Sequence, residues 1–305
     1  MLNISNLDTE QINNYTENID KLSTLEVVQL INSEDKKVAE AIEAVLPAVA
    51  NAIDAIYDRM KSGGRLIYAG AGTSGRLGLL DAVECPPTFS VDYDMVQALL
   101  AGGPEAFIKA KEGAEDSKEL GTEDLKAIGF CANDALVGIA ASGRTPYVVG
   151  AMEYARSAGG LTVSLSCTKN AEIAKYADID ISPQPGPEVI TGSTRMKSGT
   201  AQKMVLNMLS TAVMIKLGKT YGNLMVDLKA TNEKLISRAI NIVCMATGVS
   251  TEEAKKTLQT CEFSAKNAIV MILADVDFTE SKNTLEKAQG KVHLAIEFLK
   301  GNPNC

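Results

Sequence analysis

A chain of 305 residues, 46% hydrophobic and 22% charged, has material for one large α/β domain with a sizeable core and a smaller second unit. Its formal charge of −8 supplies no general basic face for nucleic acid or an anionic membrane, so any positive charge that holds an anionic ligand must be local. Six cysteines at 85, 131, 167, 244, 261 and 305 form no CxxC pair and read as buried free thiols of a reducing cytoplasm, not as a zinc site or disulfide framework.

Residues 1–23 are polar and read as an arm or short helix. With Asp8, Glu10 and Glu17 they lack the basic and apolar regions of a signal peptide, and no apolar stretch reaches membrane-spanning length; both predict a cytoplasmic protein. From Thr24 the spacing turns helical, with Leu25, Val28 and Leu30-Ile31 on one stripe. Asn32 or Ser33 can cap a longer helix that buries Val38, Ile42, Val45-Leu46, Val49, Ile53 and Ile56, and Pro47 bends or divides it. Ser62-Gly63-Gly64 ends this segment.

Leu66–Ala69 is a short apolar run that predicts a buried strand. A loop with Gly70, Gly72 and Gly75 follows, with Thr73 and Ser74 between the last two glycines. Leu77–Val83 then predicts a helix that stops at Pro86-Pro87, with Glu84 at its end. Strand, Gly/Ser/Thr loop and helix together suit an anion, because glycine admits close approach and a helix N-terminus is partly positive. A mixed stretch leads to the turn Gly102-Gly103-Pro104 and a helix near Glu105; a polar helix starts around Glu115. Ala135–Ala140 predicts a second buried strand, and Ala141-Ser-Gly-Arg-Thr-Pro146 a second loop entering a helix. Leu161–Leu165 and Ile179–Ile181 predict two more strands with a short helical piece between them. Alternating strands and helices imply a parallel sheet covered on both faces. Residues 182–200 form a long Pro/Gly/Ser/Thr loop before a helix from about Thr200 to Leu217. Beyond Gly222 strand signals stop, and helices are predicted over Thr231–Ala246, Thr251–Leu258, Ala265–Leu273 and Thr279–Phe298.

Three loops therefore adjoin helix starts: Gly72-Thr73-Ser74-Gly75, Ser142-Gly143-Arg144-Thr145 and Gly192-Ser193-Thr194-Arg195. In open parallel sheets such loops gather at the carboxyl ends of the strands, and three in one domain point to phosphate. None is a P-loop. Gly70-x-Gly72-x-x-Gly75 has the spacing of a dinucleotide fingerprint, but Asp81 and Glu84 come too early for its ribose carboxylate; only Asp92 falls nearer that distance. At a helix end between apolar neighbours, Glu84 is expected to hold its proton, as a general acid requires. Among Glu112, Glu115, Asp116 and Glu119 the residue pattern makes no choice. The single histidine, His293, lies in the helical tail, so serine–histidine–aspartate catalysis is not expected.

On these residues the chain resembles the N-acetylmuramic acid 6-phosphate etherases of the sugar isomerase (SIS) domain superfamily. The resemblance spans nearly the whole chain. Its most specific pieces are Ala69–Gly78, Glu84-Cys-Pro-Pro-Thr88, Glu112-Gly-Ala-Glu-Asp116, Ala141–Pro146, Glu188–Thr200 and Lys229-Ala-Thr-Asn-Glu233, with no departure from the family pattern. It implies an α/β fold: a SIS-type parallel sheet flanked by helices, a Rossmann-like three-layer sandwich, with a small C-terminal helical subdomain of ubiquitin-associated type. The implied division is a helical segment over 1–56, a sugar-phosphate domain over 57–222 and the subdomain over 223–305. The implied reaction is removal of the D-lactyl ether of N-acetylmuramic acid 6-phosphate by elimination and water addition, in recycling of cell-wall amino sugars. By motif position Glu84 and Glu115 are the two catalytic glutamates. Thr73, Ser74, Ser142, Thr145, Ser193 and Thr194 are expected around the phosphate, with Arg195 and Lys197 adding charge or holding the loop. No metal or other cofactor is implied, and a homodimer is. Two rivals use the same fold: a sugar-phosphate isomerase, and a non-catalytic sugar-phosphate sensor of the glucokinase regulatory protein kind.

Overall fold

The computed structural model describes residues 8–109, 111–228 and 232–301. Lys229–Thr231 of the last family motif, residues 1–7 of the arm and Cys305 lie outside them. The chain divides into two compact units, one formed by Met1–Val83 with Tyr93–Ser210 and the other by Glu84–Asp92 with Thr211–Cys305.

In the first unit α1 (Thr24–Glu43) and α2 (Leu46–Lys61) are separate helices. Pro47 stands in the first turn of α2, where a missing N–H costs nothing, and so divides the predicted helix as expected. The cap differs from expectation. Ser23 starts α1, accepting from the Glu26 backbone N–H while the Glu26 carboxylate accepts from that of Ser23. Asn32 and Ser33 lie inside the helix because nothing interrupts the apolar spacing before them.

Five parallel strands form the sheet: β1 (Leu66–Gly70), β2 (Val96–Leu100), β3 (Ala135–Ile139), β4 (Leu161–Leu165) and β5 (Ile179–Ile181), in the order β2-β1-β3-β4-β5. Every residue of β1, β3 and β4 is buried, as a sheet covered on both faces requires. Around it run α3 (Gly72–Phe89), α4 (Lys118–Ala127), α5 (Pro146–Ser157) and α6 (Lys197–Lys216). Met152 and Val148 of α5 pack on Gly138, while Gly78 of α3 lies against Tyr68 and Ile139 on the opposite face.

The helix after β1 is longer than predicted at both ends. It begins at Gly72, so Thr73, Ser74 and Gly75 form its first turn and not a loop before it. It also passes through Pro86 and Pro87 to Phe89, where Ser90 leaves it at φ +52 while its N–H still bonds the Pro86 carbonyl. The two prolines remove donors only in the last turns, which the rest of the helix tolerates.

In the second unit β6 (Thr220–Tyr221) and β7 (Leu224–Met225) make a small hairpin, so strand structure does extend past Gly222. The helices α7 (Glu233–Thr247), α8 (Thr251–Thr260) and α9 (Ala265–Ala274) follow, capped by Asn232, Ser250 and Ser264. The predicted helix over 279–298 is two helices, α10 (Phe278–Lys287) and α11 (Val292–Leu299), because Gln289 and Gly290 take positive φ. Val243, Leu258, Ile269 and Val292 are among the residues at the centre of this bundle. No helix among the described residues is long and apolar enough to cross a membrane.

Candidate functional site

The end of β1 and the start of α3 approach each other more closely than any side chain would permit. A Cβ on Gly75 would lie 2.5 Å from the Gly70 carbonyl oxygen and 2.5 Å from Leu100 Cδ1; one on Gly70 would lie 2.7 Å from the Gly75 nitrogen. Gly72, at φ +54, makes the turn between them. The glycines thus let the chain pass from strand to helix with a single intervening residue, so that the first N–H groups of α3 stand at the carboxyl edge of the sheet. The first turn of a helix leaves these donors without intrahelical partners, and they face an anion favourably.

Ser74 is buried and its hydroxyl donates to Gln202 Oε1 at 2.9 Å. Thr73 is half-buried, and its methyl would lie 3.5 Å from a Cβ on Gly199. The first turns of α3 and α6 therefore lie side by side. The second predicted loop follows β3, the neighbour of β1 in the sheet. There Gly143, at φ +68, donates to the Ala140 carbonyl and accepts from the Ile173 N–H. Thr145 is the N-cap of α5 but makes no side-chain cap bond, and Ser142 and Thr145 are both half-buried.

The third segment is held from within. The Glu188 carboxylate is fully buried and accepts from the backbone N–H groups of Lys197, at 2.8 Å, and Ser198, at 2.9 Å. This helix N-terminus already carries an anion of the protein's own. Lys197, which the sequence offered as a charge for the ligand or a loop holder, is buried; its ammonium pairs with Glu34 at 2.7 Å and donates to the Pro185 carbonyl at 2.9 Å. Asn13 joins the network by donating to Glu34 and to the Pro187 carbonyl. Burial alone would raise the Glu34 carboxyl, but its bonds to Lys197, Lys37 and Asn13 hold it below the ordinary carboxylate value. Arg195 is exposed, and Ser193 and Thr194 are half-buried.

A cavity of about 160 Å³ opens beside the start of α3, lined among others by Gly72, Arg76, Lys111, Glu112 and Glu115. Glu115 is exposed within the single-turn helix Ala114–Asp116, anchored by buried Ala114. Of the four acidic residues the sequence left undecided, Glu112 and Glu115 reach this cavity, whereas Glu119 accepts from the Ser117 hydroxyl. Arg76 is half-buried; its Nε donates to the Phe107 carbonyl at 2.9 Å and its Nη2 to that of Ala106 at 2.7 Å.

Glu84 differs from its sequence reading in two respects. It is exposed, and α3 continues to Phe89, which places it more than one turn from the helix end. The structure therefore gives it neither the burial nor the helix-end position read from the sequence. His293 is exposed on α11. The thiols also differ in part: Cys85, Cys167 and Cys261 are buried, but Cys131 is exposed and Cys244 half-buried, with no disulfide among the described residues.

Sequence reasoning missed Glu34 and Gln202, and saw Arg76 and Glu188 only as parts of motifs. Two donors at the junction of α3 and α6, Ser198 Oγ and Gln202 Nε2, are buried with no hydrogen-bond partner. A Ser-x-x-x-Gln pair one turn apart, at the start of α6, was the signal that could have flagged this junction.

The family model of the glucokinase regulatory protein N-terminal SIS domain matches residues 48–156, that of the SIS domain residues 130–212, and that of the C-terminal lid domain of glucokinase regulatory protein residues 222–269. A protein named N-acetylmuramic acid 6-phosphate etherase from Clostridium beijerinckii is 58% identical over 298 residues, covering 98% of this chain and 98% of the relative. One of the same name from Clostridium botulinum (strain Hall) is 57% identical over 301 residues, 98% of this chain and all of its own length (100%). Another, from Vibrio atlanticus, is 58% identical over 294 residues, 96% of each chain.

Proposed function

The chain belongs to the N-acetylmuramic acid 6-phosphate etherase family, and from that premise we propose how its residues divide the reaction. The enzyme is a carbon–oxygen lyase: it removes the D-lactyl ether at C3 of N-acetylmuramic acid 6-phosphate and yields N-acetylglucosamine 6-phosphate and D-lactate. In the open-chain sugar the C1 aldehyde acidifies the C2 proton. Glu115 takes that proton, a C2=C3 double bond forms as the C3–O bond breaks, and Glu84 gives a proton to the departing lactate oxygen. Water then adds to the unsaturated aldehyde, hydroxyl to C3 and proton to C2, with Glu84 as the base. The observation that carries this reading is the cavity, which sets Glu115 beside the anion-binding start of α3.

The phosphate takes the free donors of α3 near Thr73 and Ser74, with Ser142 and Thr145 of the adjacent loop and Ser193 and Thr194. The N-terminus of α6 is less suited, because Glu188 already fills it. Within this division residues 57–222 form the sugar-phosphate domain, residues 1–56 a helical segment and residues 223–305 the helical subdomain.

The site needs a second copy of the chain. Glu84 is not among the residues that line the cavity with Glu115. The C2 proton and the C3 oxygen are on neighbouring carbons, so acid and base must stand within a few ångströms of one substrate. A cavity of about 160 Å³ is also smaller than the roughly 300 Å³ or more of a complete ligand pocket. A homodimer in which the partner's Glu84 faces Glu115 meets both requirements.

The division of roles is tested by Glu84→Ala in deuterated water. Exchange of the C2 proton without lactate release supports it; loss of exchange reverses the two glutamates. The same substrate separates the rivals, because an isomerase forms a ketose and a sensor binds without turnover.

A further inference from the structure

The substrate of the proposed reaction carries two anions. The hydroxyls and N–H groups around α3 answer the phosphate, but nothing so far answers the lactyl carboxylate. That carboxylate hangs from the C3 oxygen, next to the carbon whose proton Glu115 removes, so it must enter the cavity that Glu115 lines. Glu112 lines it too. A third carboxylate there would be repelled unless a cation faced it.

We propose that Arg76 is that cation, and that it selects substrates bearing a carboxylate on the ether substituent. It lines the same cavity as Glu115. Two of its groups are fixed on the Phe107 and Ala106 carbonyls, which orients the fork before any ligand arrives. Those bonds use part of its five N–H donors and leave the others for a planar carboxylate, which a guanidinium matches with two parallel bonds. Because the fork is held in advance, little side-chain entropy is lost on binding. Lys111 also lines the cavity, but it is exposed and nothing among the described residues orients its ammonium, so the selective role falls to Arg76.

This rests on the etherase reading of the site, and the test keeps the two apart. Lactate release from N-acetylmuramic acid 6-phosphate is compared with lactamide release from the same sugar carrying a neutral carboxamide, using wild type, Arg76→Gln, Arg76→Lys and Lys111→Ala, each checked for folding by thermal melt. Wild type is expected to favour the acid over the amide by about tenfold or more in kcat/KM, in line with a charge-assisted pair. Arg76→Gln should lose most of that preference, chiefly through KM for the acid, with kcat/KM for the amide little changed. Arg76→Lys should keep part of the preference. Equal losses on acid and amide would make Arg76 a purely structural support and overturn the proposal. So would an absent preference in wild type, or a preference lost in Lys111→Ala and kept in Arg76→Gln. Wild type that releases neither product would instead sink the etherase reading itself.

Discussion

Lys197 and Glu34, 163 residues apart in the chain, form an ion pair of 2.7 Å with side chains only 1% and 4% exposed. The pair ties α1 to the segment that carries Ser193 and Thr194. Removing one partner strands the other as a buried charge, so Lys197→Met should cost about 3–5 kcal/mol, read as a lower Tm and an earlier denaturation midpoint. Replacing both residues by apolar ones of similar volume should recover much of the loss.

The same pair gives the stability a pH dependence of definite sign. Glu34 is held below its ordinary value of 4.5, so its contribution is complete above that value and fades as pH falls through its folded-state pKa. Wild type should therefore lose Tm more steeply than Glu34→Gln as pH is lowered from about 4.5. Parallel curves for the two proteins would show that the Glu34 carboxyl titrates alike in the folded and unfolded chain, and would contradict this reading.

Gly75→Ala should destabilise the protein although alanine favours helices. Its Cβ would meet the Gly70 carbonyl and Leu100 at 2.5 Å, an overlap that the backbone cannot relieve without moving the first turn of α3. A loss of about 2 kcal/mol or more is expected, with KM for the sugar phosphate raised because the donors of that turn shift. Thermal melts and steady-state kinetics of the one variant check both.

Among the thiols of the described residues, titration should single out Cys131. It is exposed, whereas burial pushes the Cys167 thiol up to about 12 and the Cys261 thiol up to about 11. In the native protein Cys131→Ser should remove a fast-reacting thiol, while Cys167 and Cys261 react only on unfolding.

Glu84→Gln and Glu115→Gln should each abolish most lactate release, since a positioned acid or base contributes about 10²–10⁴-fold. Co-expressed with different tags and purified as a heterodimer, the two variants should regain about half of the wild-type activity, because one of the two sites then holds both glutamates. An inactive heterodimer would show that each chain supplies its own Glu84.

Sequence alone was informative where burial is complete. β1 and β3 are continuous apolar runs, and β4 sets Thr162 and Ser164 between apolar residues; all three were legible as strands. β2 was not: Val96-Gln-Ala-Leu-Leu100 is an edge strand with a half-exposed middle and one β-branched residue, so neither alternation nor a full apolar run marks it. The start of α3 was hidden by Gly72 and Gly75, residues that disfavour helix and are used here for close approach. Pro86 and Pro87 hid its end in the same way. Within the candidate site, Glu115 could be named only through the family motif, because Glu112, Asp116 and Glu119 look alike in composition. The Lys197–Glu34–Glu188 network joins distant segments, and no local spacing reports such pairings.

The most direct test of the account is to run the reaction in water enriched in oxygen-18 and weigh both products by mass spectrometry. Elimination followed by hydration breaks the bond between C3 and the ether oxygen, so the amino sugar phosphate should gain one heavy oxygen, apart from any aldehyde exchange, and the lactate hydroxyl none. Heavy oxygen in the lactate hydroxyl, with none at C3, would mean that the bond on the lactyl side is cut and would contradict the mechanism assigned to Glu84 and Glu115.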